Sequence, residues 1–159
     1  MSSTEQPTHD AKATLPLIKA VELLLNECRM VLPGIQALFG FQLIAVFNAG
    51  FHDRLSHGHQ ILHIVALGMT AIAVAMIMTP AAFHRQHDPH QVTEAFIRLC
   101  TAMMLASMVP LALGICTDFF IVASIVIDES IAAVIAGLLL AVFLTLWFVV
   151  PRLSRTTAP

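Results

Sequence analysis

Charge is scarce in this chain: only 11% of its 159 residues are Asp, Glu, Lys or Arg, against 58% hydrophobic residues and a mean hydropathy of +0.85. A water-soluble domain carries about a quarter of its residues charged, so the shortage excludes an ordinary soluble fold. With a formal charge of −2 and no basic stripe, a nucleic-acid surface is excluded as well. Cysteine is also sparse. Cys28 and Cys100 fall near the ends of apolar runs, Cys116 falls inside one, and no CxxC occurs, a pattern that fits free thiols in a reducing or lipid setting. No nucleophile elbow, phosphate loop or pair of catalytic carboxylates is present, so the chain does not read as an enzyme. No cofactor is implied either. A bis-histidine haem needs two imidazoles facing each other from different helices, and the apolar runs of the first, third and fourth spans contain no histidine. Residues 1–14 lack the basic-then-apolar order of a cleavable signal and are expected to remain as a disordered cytosolic tail.

Long apolar sequence is what the chain has instead. Met30–Phe51, Ile64–Phe83, much of Leu99–Ile127, and Ile131–Val150 are free of charged side chains and about long enough for a ~30 Å hydrocarbon core, which takes ~20 helical residues. The expected fold is therefore an all-α integral membrane four-helix bundle, with residues 15–151 as a single domain and 152–159 as a short cytosolic tail. Lys12, Lys19, Arg29, Arg85, Arg98, Arg152 and Arg155 lie on one side of that arrangement and Arg54 alone on the other, so both termini are expected in the cytoplasm. Two outer connections follow. One is histidine-rich, near Phe51–Gln60, and one is short and acidic, at Asp128, Glu129 and Ser130.

Ahead of the first span, Leu17, Ile18, Val21, Leu24, Leu25 and Cys28 recur at helical spacing, with Thr14 as a cap and Pro16 in the first turn. This amphipathic approach helix either lies along the inner membrane surface or lengthens the first span below the bilayer. If it continues through Pro33, then Glu22, Asn26, Arg29, Pro33, Gln36 and Gly40 form one narrow stripe. That stripe is expected to face protein, as an interhelical contact or as the wall of a polar pathway, because Gln36 hydrogen-bonds poorly to lipid tails and Gly40 allows close approach. In the fourth span Ala133, Gly137 and Ala141 make a small-residue seam, suited to packing within the bundle or to a homodimer face.

The stretches NECRMVLPGIQALFGFQLIAVF, MTPAAFHR, LGICTDFF and LWFVVP resemble a family of small, uncharacterised four-span bacterial membrane proteins, catalogued as a domain of unknown function. The resemblance covers about Glu22–Pro151. It implies a multi-pass protein of the bacterial cytoplasmic (inner) membrane, and some members of that family carry the label of sodium:proton antiporter. It brings no established binding residues, and the family does not share the outer histidine cluster.

Seven of the eight histidines fall in two clusters. The outer one holds His52, His57, His59 and His63; the inner one holds His84, His87 and His90, beside an Asp88-Pro89 turn. Imidazole is the commonest metal-ligand side chain, and His59 and His63, four apart on a helix, could hold Zn²⁺, Ni²⁺ or Cu²⁺ with His52 or Asp53. Neither cluster matches a specific metal signature, so solvated loops at the headgroup level are the alternative.

One acid, Asp118, interrupts the third apolar run. From Leu99 to Ile127 a straight helix is ~43 Å long against a core of ~30 Å. The fourth span only just crosses, with Trp147 at the inner interface and Pro151 ending it, which holds the short outer turn at the surface. A helix tilted, or bent near Pro110, then places Asp118 ~10–14 Å deep. The competing arrangement ends the span at Thr117 and makes Asp118 a cap. Once buried, the carboxyl favours its protonated form unless a cation or a polar neighbour such as Gln36 or Thr70 stabilises the charge. Two functional readings follow: a small cation/proton-coupled transporter, antiporter-like, with Asp118 as its titrating group, or a non-transporting accessory subunit packed in a larger membrane complex. The partners expected are the lipid bilayer, and a second copy or a larger complex.

Overall fold

The computed structural model describes residues 17–86 and 94–156, and every element among them is helical. Their order is α1 Leu17–Val46, α2 Ala49–Arg54, α3 His57–Gln86, α4 Glu94–Val126, α5 Glu129–Leu144, a π-helical turn Thr145–Val149, and α6 Val150–Thr156. Four stretches are long and apolar enough to cross a membrane: Lys19–Val46, His57–Phe83, Glu94–Val126 and Glu129–Leu153. The chain fits a multi-pass integral membrane protein. Its outer surface agrees, for large apolar side chains such as Phe41, Ile44, Val122 and Leu138 are exposed, as lipid-facing residues should be.

Buried positions on the helices repeat every three and a half residues, the period that keeps one seam turned toward a neighbouring helix. On α1 the buried residues are Val21, Cys28, Ile35 and Gln42, each seven from the last. On α3 they are His63, Ala66, Thr70, Ala73 and Ile77, alternating three and four apart. Small side chains on this second seam let α3 approach α4 closely, and these two form the most extensive helix pair. α4 is the central helix: it also carries α5, which docks through Ala132 and Ala136, while α1 packs mainly on α3.

Gly114 marks the tightest point. A Cβ there would lie 2.9 Å from Thr70 Oγ1 and 3.1 Å from the Ala66 carbonyl oxygen. The Thr70 hydroxyl already donates to Ala66 O at 3.2 Å, so neither neighbour can move without losing a bond. Gly114→Leu is expected to destabilise the protein by about 1–3 kcal/mol through overpacking. Gly137→Leu, at an open position, should be near neutral. Unfolding in mixed micelles compares the two.

Packing decides between several of the alternatives and alters some details. The approach segment lengthens the first span, since α1 runs unbroken from Leu17 through Pro33 to Val46. Its Glu22, Asn26, Arg29 and Gln36 are exposed in the monomer, because the heptad of Val21, Cys28 and Ile35 takes the buried face. Glu22, Asn26 and Arg29 line a shallow surface depression with Lys19 instead. Likewise Ala133, Gly137 and Ala141 are exposed, and α5 uses Ala132 and Ala136 against α4. Pro151 does not end the fourth span. Proline lacks the N–H that a regular helix would need, and the π turn before it, closed by Val150 N–H to Thr145 O, widens the helix so that it continues into α6. The outer turn is shorter than expected: Asp128 caps α5 by accepting from Ser130 N–H at 2.9 Å, so Glu129 already lies in the helix. The inner-loop residues His87, Asp88, Pro89 and His90, the side chain of His84, the tail at 1–14 with its Thr14 cap, Pro16, and residues 157–159 of the tail expected at 152–159 lie outside the described residues.

Candidate functional site

α4 passes through Asp118 without a break and ends at Val126, so Asp118 is no cap and lies ~12 Å along the helix axis from that end. Its side chain is 19% exposed. Beside it, from α3, is His63, whose side chain is 8% exposed and whose Nδ1 lies 2.9 Å from Asp118 Oδ1. The other ring nitrogen, Nε2, lies 3.0 Å from the backbone oxygen of Gln42 on α1. The Gln42 side chain completes the group, with its Nε2 donating to Asp118 Oδ2. Three helices thus meet at one polar point in a largely apolar interior.

Proton positions follow from the chemistry of the acceptors. A backbone carbonyl can only accept, so His63 Nε2 carries a hydrogen. The Nδ1···Oδ1 contact then needs one proton between the two atoms, on the imidazole or on the carboxyl. In both forms the pair is uncharged overall, which makes it tolerable where an isolated charge would be costly. The carboxyl is therefore partnered by an imidazole, not by the side chains expected for it. Gln36 is exposed on α1, and Thr70, although fully buried, bonds within its own helix to Ala66 O.

One buried atom is left over. Gln42 is 4% exposed, and its Oε1 makes no hydrogen bond with the protein. Gln42, His63 and Asp118 stand together on the wall of a cleft of about 640 Å³ between α1 and α4. Phe41, Ala45, Ile121, Val122 and Ile125 supply its apolar sides, and Asn48, Phe51 and Arg54 come from α2 and the turn before it. Asn48 holds that turn by accepting from Gly50 N–H at 3.1 Å, and Phe51 sets its ring edge against His63, centroids 5.3 Å apart. Phe41 and Val122, 70% and 63% exposed, form lips on the lipid-facing surface.

Residues 17–151 match a family described as being of unknown function, DUF6328. The chain belongs to the DUF6328 family. That match agrees with the resemblance to an uncharacterised family and carries neither an antiporter activity nor a bacterial origin. No curated protein and no solved structure matches this DUF6328 chain.

The outer histidines do not converge in this DUF6328 protein. His63 has both ring nitrogens engaged at the Asp118 site and so leaves the cluster, while His52 and His57 are exposed. His59 Nδ1 lies 3.0 Å from Ser56 Oγ at the start of α3, its Nε2 is 3.8 Å from Glu129, and its ring packs on Phe120. Among the described residues, no group of three or more His, Cys, Asp or Glu side chains could hold a metal ion. Gln42 is the residue that sequence reasoning passes over. The signal for it exists: it falls seven after Ile35 on the face of Val21 and Cys28, a polar side chain where the seam calls for an apolar one.

Proposed function

We propose that the protein is a small cation/proton-coupled transporter in which Asp118, paired with His63, trades a proton for a cation. The observation behind this reading is the 2.9 Å contact between His63 Nδ1 and Asp118 Oδ1, which takes one proton, next to an acceptor, Gln42 Oε1, that has no partner. With that proton the pair is neutral; without it the pair carries one negative charge, which one monovalent cation restores to zero. Exchange of one for one leaves the charge of the site unchanged, so its apolar surroundings oppose neither state. The cleft gives the site a way out between α1 and α4, and Asp118 lies on α4, which touches all three other spans.

Purified protein in proteoliposomes with an internal pH-sensitive dye tests the reading. Pulses of Na⁺, K⁺ or an organic ammonium are expected to move protons against the cation, at a rate clearly above that of empty vesicles. Traces identical to those of empty vesicles for all three would leave the accessory-subunit reading in its place.

A further inference from the structure

We infer that the cation taken by the Asp118 site is a lipophilic amine, held by its ammonium head at Asp118 and Gln42 and by its apolar body in the α1–α4 cleft. The inference deepens the exchange reading and rests on it for the release of a proton, whereas the binding step stands apart from it.

The walls of the cleft argue for the ligand's body. A volume of about 640 Å³ is in the range of sites for small organic molecules, ~300–1,000 Å³, and exceeds what a bare alkali ion requires. The sides are Phe41, Ala45, Ile121, Val122 and Ile125, and the lips open on the lipid-facing surface, so a molecule that partitions into the bilayer reaches the cleft directly. A metal ion would need several oxygen or nitrogen donors to replace its hydration shell. Among the described residues no such cluster of His, Cys, Asp and Glu exists.

The polar end argues for the head. Gln42 Oε1 is a buried acceptor without a partner, and leaving an amide oxygen so costs free energy that a donor recovers. The Asp118 carboxyl beside it is 19% exposed, enough for contact from the cleft. A primary ammonium has three N–H donors and one positive charge, so it suits both groups. Arrival of the ammonium puts a second positive group beside a carboxylate that His63 already balances. The proton shared by His63 and Asp118 then leaves to water, one ammonium in and one proton out. The charged or titratable side chains on the cleft are Asp118, His63 and Arg54. Arg54 is exposed on α2, where water and salt screen it, while Asp118 is largely buried.

Three probes of one size separate the possibilities: 4-phenylbutylamine, 4-phenylbutanol and 4-phenylbutyrate. Each is titrated calorimetrically into the full-length protein in lipid nanodiscs, in two buffers of different ionisation heat. The amine is expected to bind saturably, at least tenfold more tightly than the alcohol, with the carboxylate weakest and with buffer-dependent heat reporting about one proton released. Gln42→Leu and Asp118→Asn, with helicity checked by circular dichroism, are each expected to weaken the amine tenfold or more. Tighter binding of the carboxylate would assign the cleft to Arg54 and an anion and overturn the inference. So would equal binding of amine and alcohol, or no saturable binding of the amine to the wild-type protein. Amine binding without proton release would keep the ligand class and remove the exchange reading. Proton flux driven by Na⁺ in a protein that ignores the amine would do the reverse.

Discussion

Replacing His63 by alanine is expected to cost the folded protein about 3–5 kcal/mol, the range for removing one partner of a buried ion pair. The substitution takes away two bonds at once: the one to Asp118 Oδ1 at 2.9 Å and the one to Gln42 O at 3.0 Å. Loss of a neutral interhelical hydrogen bond between membrane helices costs less, about 0.6 kcal/mol on average and up to about 1.7. The larger figure comes from the carboxyl, which is left in apolar surroundings with only the Gln42 amide as a donor. Adding Asp118→Asn removes that orphaned acid, so the double variant should be less destabilised than the two single losses sum to. A double-mutant cycle on reversible unfolding in mixed micelles measures this coupling. His57→Ala, at an exposed position on the same helix, is the control. A loss at His63 no greater than at His57, or strict additivity with Asp118→Asn, would mean that the pair contributes nothing to holding α3 and α4 together.

The length and composition of the chain make its four spans legible, because an apolar run of ~20 residues has few ways to exist outside a bilayer. Asp118 does fall about two turns before the end of α4, but the short fourth span from which the arithmetic places it runs on past Pro151. The partners of Asp118 were harder to read. His63 stands four residues after His59, and that spacing reads as a metal pair until the packing of α3 is known. What distinguishes the two is the register. His63 begins the seam of Ala66, Thr70, Ala73 and Ile77, whereas His59 lies by Ser56 and Phe120 at the helix start. On α1 two stripes competed. The polar one, Glu22 to Gln36, is conspicuous because its residues are unusual in a span. The buried one, Val21, Cys28, Ile35 and Gln42, looks ordinary until its last member. Which stripe faces the neighbours is decided by how well the side chains pack across α1, α3 and α4, and one sequence does not state that. The end of span four departs from the expected stop at Pro151 for a local reason. A proline usually stops a helix, but a single widened turn relieves the clash and the missing donor, and the helix proceeds.

Asp118→Asn is expected to leave the fold within about 1 kcal/mol of wild type while reducing cation-driven proton movement to the level of empty vesicles. The geometry allows the first half. Asparagine Oδ1 can accept from the Gln42 amide, and its Nδ2–H can donate to Nδ1 of a neutral His63, which keeps its Nε2–H on Gln42 O. Every bond of the neutral pair is reproduced. What disappears is the shared proton and the carboxylate that would receive a cation in its place, so exchange has no carrier. Asp118→Lys makes the contrast. A lysine in mid-span costs about 2.5–3.5 kcal/mol by itself, and here it would also remove the carboxyl that pairs with His63 and Gln42. Unfolding in mixed micelles and dye-loaded proteoliposomes, run on the same preparations, read the two effects separately. A folded Asp118→Asn protein that still moves protons at the wild-type rate would take the exchange from Asp118, leaving the pair with His63 as a clasp between helices.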